Sequence, residues 1–149
     1  MASIDKEINS KFKNSKHRFT TNLIYTANYI QNRFTESLKP FDLSSQQFNI
    51  LRILKGNGSW VTMNEIKSVM IERAPNATRL SDKLLNKGLV ERKRSEEDRR
   101  VVFLSITKKG LALLEEIDVD NSIDFETIFN KISNEKAQEF SDILDSLRD

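Results

Sequence analysis

The chain is predicted to be mainly α-helical with one small β-hairpin, an α+β protein of 149 residues. Three observations predict this. Apolar residues recur at helical spacing through both terminal regions, and two internal segments open with complete helix-capping signals. Between them, the stretch from Leu80 to Gly110 joins the end of an amphipathic helix to two short strands rich in β-branched and aromatic residues.

Ile4, Ile8, Phe12, Phe19, Leu23, Ile30, Phe34 and Leu38 recur at three-, four- and seven-residue steps, which predicts one long helix ended by Pro40. Ile24, Tyr25 and Tyr29 widen its apolar surface beyond what the central helix-and-hairpin unit can cover, so a partner subunit is the expected cover. Ser44-Ser45-Gln46-Gln47 is a capping box, with Leu43 placed to staple onto Phe48. Lys55-Gly56-Asn57-Gly58-Ser59 reads as a turn, and Trp60-Val61 as a short strand. Thr62-Met63-Asn64-Glu65 repeats the capping box, with Val61 and Ile66 as its staple. Ala74-Pro75-Asn76 opens the fourth helix, since a first turn tolerates proline.

In that helix Leu80, Leu84 and Leu85 share one stripe, while Thr78, Arg79, Asp82, Lys83 and Asn86 fall towards the other side. Gly88 stops it, because glycine adopts the left-handed conformation that ends helices. Residues 89–94 and 101–106 are the two strands, and Ser95 to Arg100 the turn between them. Thr107 opens a fifth helix through Leu111, Leu114 and Ile117 and onward to Phe125, Ile128, Phe129 and Ile132. A sixth follows Ser133 and carries Ala137, Phe140, Ile143, Leu144 and Leu147 on one side.

The net charge of +2 hides a segregation. Residues 73–109 carry eleven Lys/Arg against five Asp/Glu, residues 110–149 three against eleven, and residues 1–72 ten against six. The positive field is therefore concentrated on the helix and hairpin, where a polyanion can dock away from the acidic end. A helix fits the DNA major groove, and a basic β-ribbon beside it reaches flanking phosphates or the minor groove. The unit reads as a winged helix-turn-helix: the helix recognises, the hairpin is the wing.

Other chemistry is weakly represented. The absence of cysteine excludes disulfides and thiolate metal sites, and the single histidine, His17, lies between Lys16 and Arg18 and reads as a surface or interface residue. Glu115, Glu116, Asp118 and Asp120 read as a solvated helix face, and Gly56-Asn57-Gly58 lacks the third glycine of a dinucleotide loop. No nucleophile, base and orienter can be assembled, so the expectation is a non-enzyme without cofactor or metal. No apolar run approaches the length of a membrane span, and the first residues mix charges throughout, so the expected location is the cytoplasm.

Thr78-Arg79, Lys87-Gly88-Leu89-Val90-Glu91-Arg92, Asp98-Arg99-Arg100 and Leu104-Ser105-Ile106-Thr107-Lys108-Lys109-Gly110, in this order and spacing, resemble the MarR (multiple antibiotic resistance regulator) family of bacterial transcription factors. The family pattern usually has Leu where this chain has Ile106, a conservative exchange. The resemblance implies a dimeric repressor whose DNA affinity changes when a small aromatic or anionic molecule binds between the dimer and DNA-binding regions. Here that cleft would draw on the first, second and fifth helices, where Tyr25, Tyr29, Phe48, Arg52 and Trp60 are available; the alternative, which the residues themselves favour, is that these rings only fill the core. Cysteine-based oxidant sensing and zinc sensing, both known in the family, do not fit this composition.

The expected organisation is a single domain over 1–149, with a winged helix-turn-helix at 43–110 and a helical dimerisation region from 1–40 and 111–149. Thr78 can hydrogen-bond a base edge or touch a thymine methyl, Arg79 can pair bidentately with guanine, and Asn76 can read adenine or bind phosphate. Lys83 and Arg94 are placed to hold phosphates. Arg100 matches the family's wing arginine, which enters the minor groove, and Asp98 the acidic residue that holds it; Arg99 adds a phosphate contact. The alternative reading is a docking module whose basic face binds an acidic protein partner.

Overall fold

The computed structural model describes residues 3–119 and 128–148. The elements are α1 (Ile4–Glu7), α2 (Ser15–Leu38), α3 (Ser45–Asn57), β1 (Val61–Thr62), α4 (Met63–Val69), α5 (Ala77–Asn86), β2 (Val90–Arg94), β3 (Val102–Ile106), α6 (Lys108–Val119) and α7 (Asn134–Ser146). The strands form one antiparallel sheet in the order β1-β3-β2. In its register Val61 faces Leu104, Lys93 faces Phe103 and Arg94 faces Val102.

The first helix departs from the sequence expectation. Its periodicity continues, but the chain breaks into α1 and α2 because Asn9 turns into the left-handed region at φ 45°. Asn14 then restarts the helix, its side chain accepting a hydrogen bond from the His17 N–H at 2.9 Å. The short α1 folds back along α2. Arg18 grips both carboxylate oxygens of Asp5 at 2.9–3.2 Å, and the Tyr25 hydroxyl donates to Glu7 at 2.8 Å. Hydrogen bonding from Arg18 holds the Asp5 carboxyl below its ordinary pKa. His17 serves this bend, its Nδ1 accepting from the Lys13 N–H at 3.3 Å. Pro40 ends α2 within a tight 3-10 turn, Lys39–Phe41, which Asp42 closes at φ 53°.

Both capping boxes form. Ser44 and Gln47 exchange side-chain and backbone hydrogen bonds at the start of α3, as Thr62 and Glu65 do for α4. The expected turn at Lys55–Ser59 is shorter than the sequence reading. The helix continues through Asn57, whose side chain donates back to the Ile53 carbonyl, and only Gly58, at φ 66°, ends it. Pro75 lies ahead of α5 rather than in its first turn. It occupies the second position of a turn closed by the Ala77 N–H on the Ala74 carbonyl, where proline's fixed φ fits.

The core lies where α3, α4, α5, α6 and the sheet meet. Leu38, Ile50, Leu51, Leu54, Ile66, Leu84, Leu104 and Leu114 are its sealed members. By contrast Phe19, Ile24, Tyr25 and Tyr29 on α2 stay substantially exposed, as do Phe140, Ile143 and Leu147 at α7, which buries no residue. Phe125, and the middle of the expected fifth helix with it, lies outside the described residues.

Candidate nucleic-acid interface

The candidate site is built from α5 and the hairpin. Burial of Ala77, Leu80, Ser81 and Leu84 fixes the rotation of α5 and turns Thr78, Arg79, Lys83 and Asn86 outward. Asn76 occupies the N-cap position without a side-chain capping bond, so its amide is exposed at the tip of the helix. At the other end Gly88 takes φ 70°, and the Gly88 and Leu89 amides return to the Leu85 and Leu84 carbonyls at 2.9 and 3.0 Å. This is a Schellman closure, and it turns the chain directly into β2.

The Leu104-to-Gly110 motif locks that exit in place. The Thr107 hydroxyl donates to the Gly88 carbonyl at 2.8 Å and accepts from the Gly110 N–H at 3.1 Å. Lys109 reaches the Lys87 carbonyl at 2.8 Å. A side chain at Gly110 would run into the Leu89 carbonyl oxygen and come within 2.7 Å of Ile106 Cγ1, so only glycine allows α6 to start this close to β2. The motif is a joint that fixes the wing relative to the exit of α5.

The tip of the wing is shaped by its own side chains. Ser95 Oγ accepts from the Glu97 and Asp98 amides, the Val101 N–H donates to the Asp98 carbonyl, and Asp98 Oδ1 accepts from the Arg100 N–H at 3.0 Å. Asp98 thus holds Arg100 through its backbone, an Asx turn rather than a charge pair. Among the described residues, the side chains of Arg79, Lys83, Arg94, Arg99 and Arg100 have no ion-pair partner. All five are exposed. These five cations are therefore left available, although Glu96, Glu97 and Asp98 share the wing turn, and an excess of unpaired cations suits a polyanion.

Two contacts were beyond sequence reasoning. Asp82 on α5 pairs with Arg92 on β2, tying the helix to the wing. Lys93 lies 4.3 Å from the Trp60 ring centroid and 5.8 Å from that of Phe103, a cation–π clamp joining β2, β3 and the residue just before β1. Alternating side chains along β2 offered a signal for the second, but only the register joins them.

The five cleft residues are not brought together. Tyr25 binds Glu7, and Tyr29 accepts from Arg33 at 3.1 Å. Phe48 meets Phe34 edge-on at 5.1 Å, Arg52 stacks on Phe48 while pairing with Asp118, and Trp60 belongs to the wing clamp. The five thus fall into two neighbouring pairs, Tyr25 with Tyr29 on α2 and Phe48 with Arg52 on α3, with Trp60 apart from both.

A family model described as the MarR family matches residues 43–102. The uncharacterized HTH-type transcriptional regulator YwoH of Bacillus subtilis is 32% identical over 119 residues, which are 80% of this chain and 85% of YwoH. A mutant MarR from E. coli, in a crystal structure complexed with operator DNA, matches with a TM-score of 0.71 at 26% identity, covering 85% of this chain and 91% of that one. NadR in complex with 4-hydroxyphenylacetate matches at TM-score 0.66 and 27% identity, over 93% and 96% of the two chains. The chain belongs to the MarR family of DNA-binding transcriptional regulators.

Proposed function

We propose that this regulator is a cytoplasmic homodimeric repressor that reads a near-palindromic operator in double-stranded DNA, acting by binding and not by catalysis. The observation that carries the reading is the set of unpaired cations on α5 and the wing. Thr78 and Arg79 contact base edges, with Asn76 on adenine or phosphate. Lys83, Arg94 and Arg99 hold phosphates, and Arg100 enters the minor groove from the turn that Asp98 shapes. Residues 43–110 form the reading unit, and residues 1–40 and 111–149 pair two copies. Two reading helices on one face of a duplex need half-sites about 10 bp apart. No helix among the described residues is long and apolar enough to cross a membrane, which supports action in the cytoplasm.

The aromatic carboxylate bound by NadR supports a small aromatic or anionic effector here. Such a molecule acts only if its affinity differs between DNA-competent and DNA-incompetent shapes.

Fluorescence anisotropy against a duplex from upstream of its own gene, with a scrambled control, tests the reading. The expected result is preference for the native duplex, with affinity falling on the order of 10³-fold between about 50 and 200 mM salt. Salt-insensitive binding would sink it. Addition of 4-hydroxyphenylacetate is expected to move the native-duplex curve; a series of aromatic acids without effect would remove the effector.

A further inference from the structure

A cavity of about 520 Å³ lies between α5 and the junction of α2 with α3. Lys39, Asp42, Leu43, Ser44, Gln47, Lys83 and Lys87 line it. We propose that it seats a backbone phosphate of bound DNA, held by Lys39, Lys83 and the side-chain amide of Gln47. The proposal rests on the DNA-binding reading above and extends its footprint beyond the helix and wing.

The lining is rich in donors. Lys83 has no ion-pair partner among the described residues. Among the described residues Lys39 pairs only with Glu36, three residues away, and both side chains are more than 60% exposed, so this pair yields readily to a stronger anion. Gln47 is only 5% exposed. Its Oε1 accepts from the Ser44 N–H at 3.0 Å, which fixes the orientation of the amide, and its Nε2 donates to none of the described residues. No side-chain nitrogen or oxygen among them is both sealed and unpaired, so the Gln47 NH₂ stays open to the cavity it lines. Largely buried donors call for an acceptor.

Two carboxylates border this set, Glu36 on Lys39 and Asp42 on Lys87. Asp42 is held by Lys87, which donates to its backbone carbonyl and lies 3.1 Å from Oδ2. Lys87 thereby offsets the acid in the lining, and the excess positive charge comes from Lys83, joined by Lys39 once it leaves its exposed pair with Glu36. At about 30 Å³ per water, the volume admits a phosphate with part of its hydration shell.

Position favours the DNA backbone over a free anion. Lys83 follows Arg79 by four residues and shares its exposed stripe, so a duplex engaged by Arg79 passes the mouth of the cavity. Asp82 faces the wing through Arg92, while Lys83 and Lys87 face Lys39 and Gln47. Wing and cavity thus flank α5 on different sides, as two phosphate rows border a major groove about 12 Å wide.

The test is the salt series repeated for Lys39→Gln, Gln47→Glu and Asp42→Asn on both native and scrambled duplexes, because a phosphate contact is blind to sequence. Lys39→Gln changes an exposed side chain and is expected to weaken both duplexes and lower the log–log salt slope by about 0.9 per subunit, about 1.8 for a bound dimer, a roughly 12-fold smaller drop between about 50 and 200 mM. Gln47→Glu keeps the capping acceptor and is expected to weaken both further, at unchanged helicity. Asp42→Asn, which suits the left-handed backbone there, is expected to tighten both.

In parallel, the Gln47 side-chain amide is followed by NMR against scrambled duplex and against inorganic phosphate. Unchanged affinity and slope in Lys39→Gln, with the wild type binding duplex, overturn the cavity and leave the DNA reading intact. An amide that shifts with inorganic phosphate but not with duplex also overturns it, in favour of a small-anion site. Absence of any duplex binding by the wild type at low salt defeats the DNA reading itself, and this proposal with it.

Discussion

Asp98 and Arg100 are two residues apart at the wing tip, and their relation decides what each substitution does. The Asp98 carboxylate accepts from the Arg100 backbone N–H and leaves the guanidinium without an ion-pair partner among the described residues. Asp98→Asn keeps an acceptor of the same shape. It is therefore expected to bind duplex DNA as well as the wild type or slightly better, having lost one negative charge. Asp98→Ala removes the acceptor, loosens the turn and is expected to weaken binding, while Arg100→Ala weakens it most. Anisotropy titrations of the three variants check this order; a loss in Asp98→Asn equal to that in Asp98→Ala would mean that charge, not turn geometry, matters. Arg79 is a different case. Its removal is expected to cost about 1–3 kcal/mol on the native duplex and to relax the preference at one position per half-site, read by competition with single-base variants.

Elements here start and stop through local chemistry, which explains what the sequence made legible. Ser44-Gln47, Thr62-Glu65 and Gly88 act within a few residues of themselves, so the ends they set were readable without any tertiary knowledge. The break between α1 and α2 was not. Apolar spacing runs unbroken through Ile8 and Phe12, and the deciding features are a left-handed Asn9 and the Asp5–Arg18 and Glu7–Tyr25 contacts made by folding back. In the candidate site the outward side of α5 followed from helical period alone. Asp82 with Arg92, Trp60 with Lys93, and the grouping of Lys39 with Gln47 and Lys83 depend on how elements dock, which no local pattern encodes. The α6 joint gives the sharpest test at this scale. Gly110→Ala forces a methyl against the Leu89 carbonyl, so overpacking of about 1–3 kcal/mol or more is expected as a lowered thermal midpoint. Thr62→Ala, which removes the capping bond from the Glu65 N–H and the hydroxyl's own bond to the Glu65 carboxylate, is expected to cost about 1 kcal/mol. Equal losses in the two would show that the β2–α6 approach relaxes freely.

At the scale of the whole molecule, the apolar surface left over is concentrated on the terminal helices. Phe19, Ile24 and Tyr29 on α2 and Phe140, Ile143 and Leu147 at α7 remain 43–60% exposed, whereas the winged-helix core is sealed. Apolar side chains left exposed around α2 and along one side of α7 give a charged protein a surface for association. If two copies cover it, the pair of reading helices acts as one ligand for two half-sites, and duplex affinity includes the gain from linking them. Replacing Phe140 and Leu147 together with Asp places charges in that surface without touching α5 or the wing. The expected result is a monomer by sedimentation, with circular dichroism showing the winged-helix unit still folded. Native-duplex affinity should fall by at least the order of 10²-fold, towards that of a single half-site, because the second contact becomes a separate encounter. A duplex carrying one half-site should bind the wild type and the double variant almost equally. Should the double variant remain dimeric and bind as before, the pairing of copies would have to lie elsewhere on the chain, and the exposed face of α7 would need a different cover.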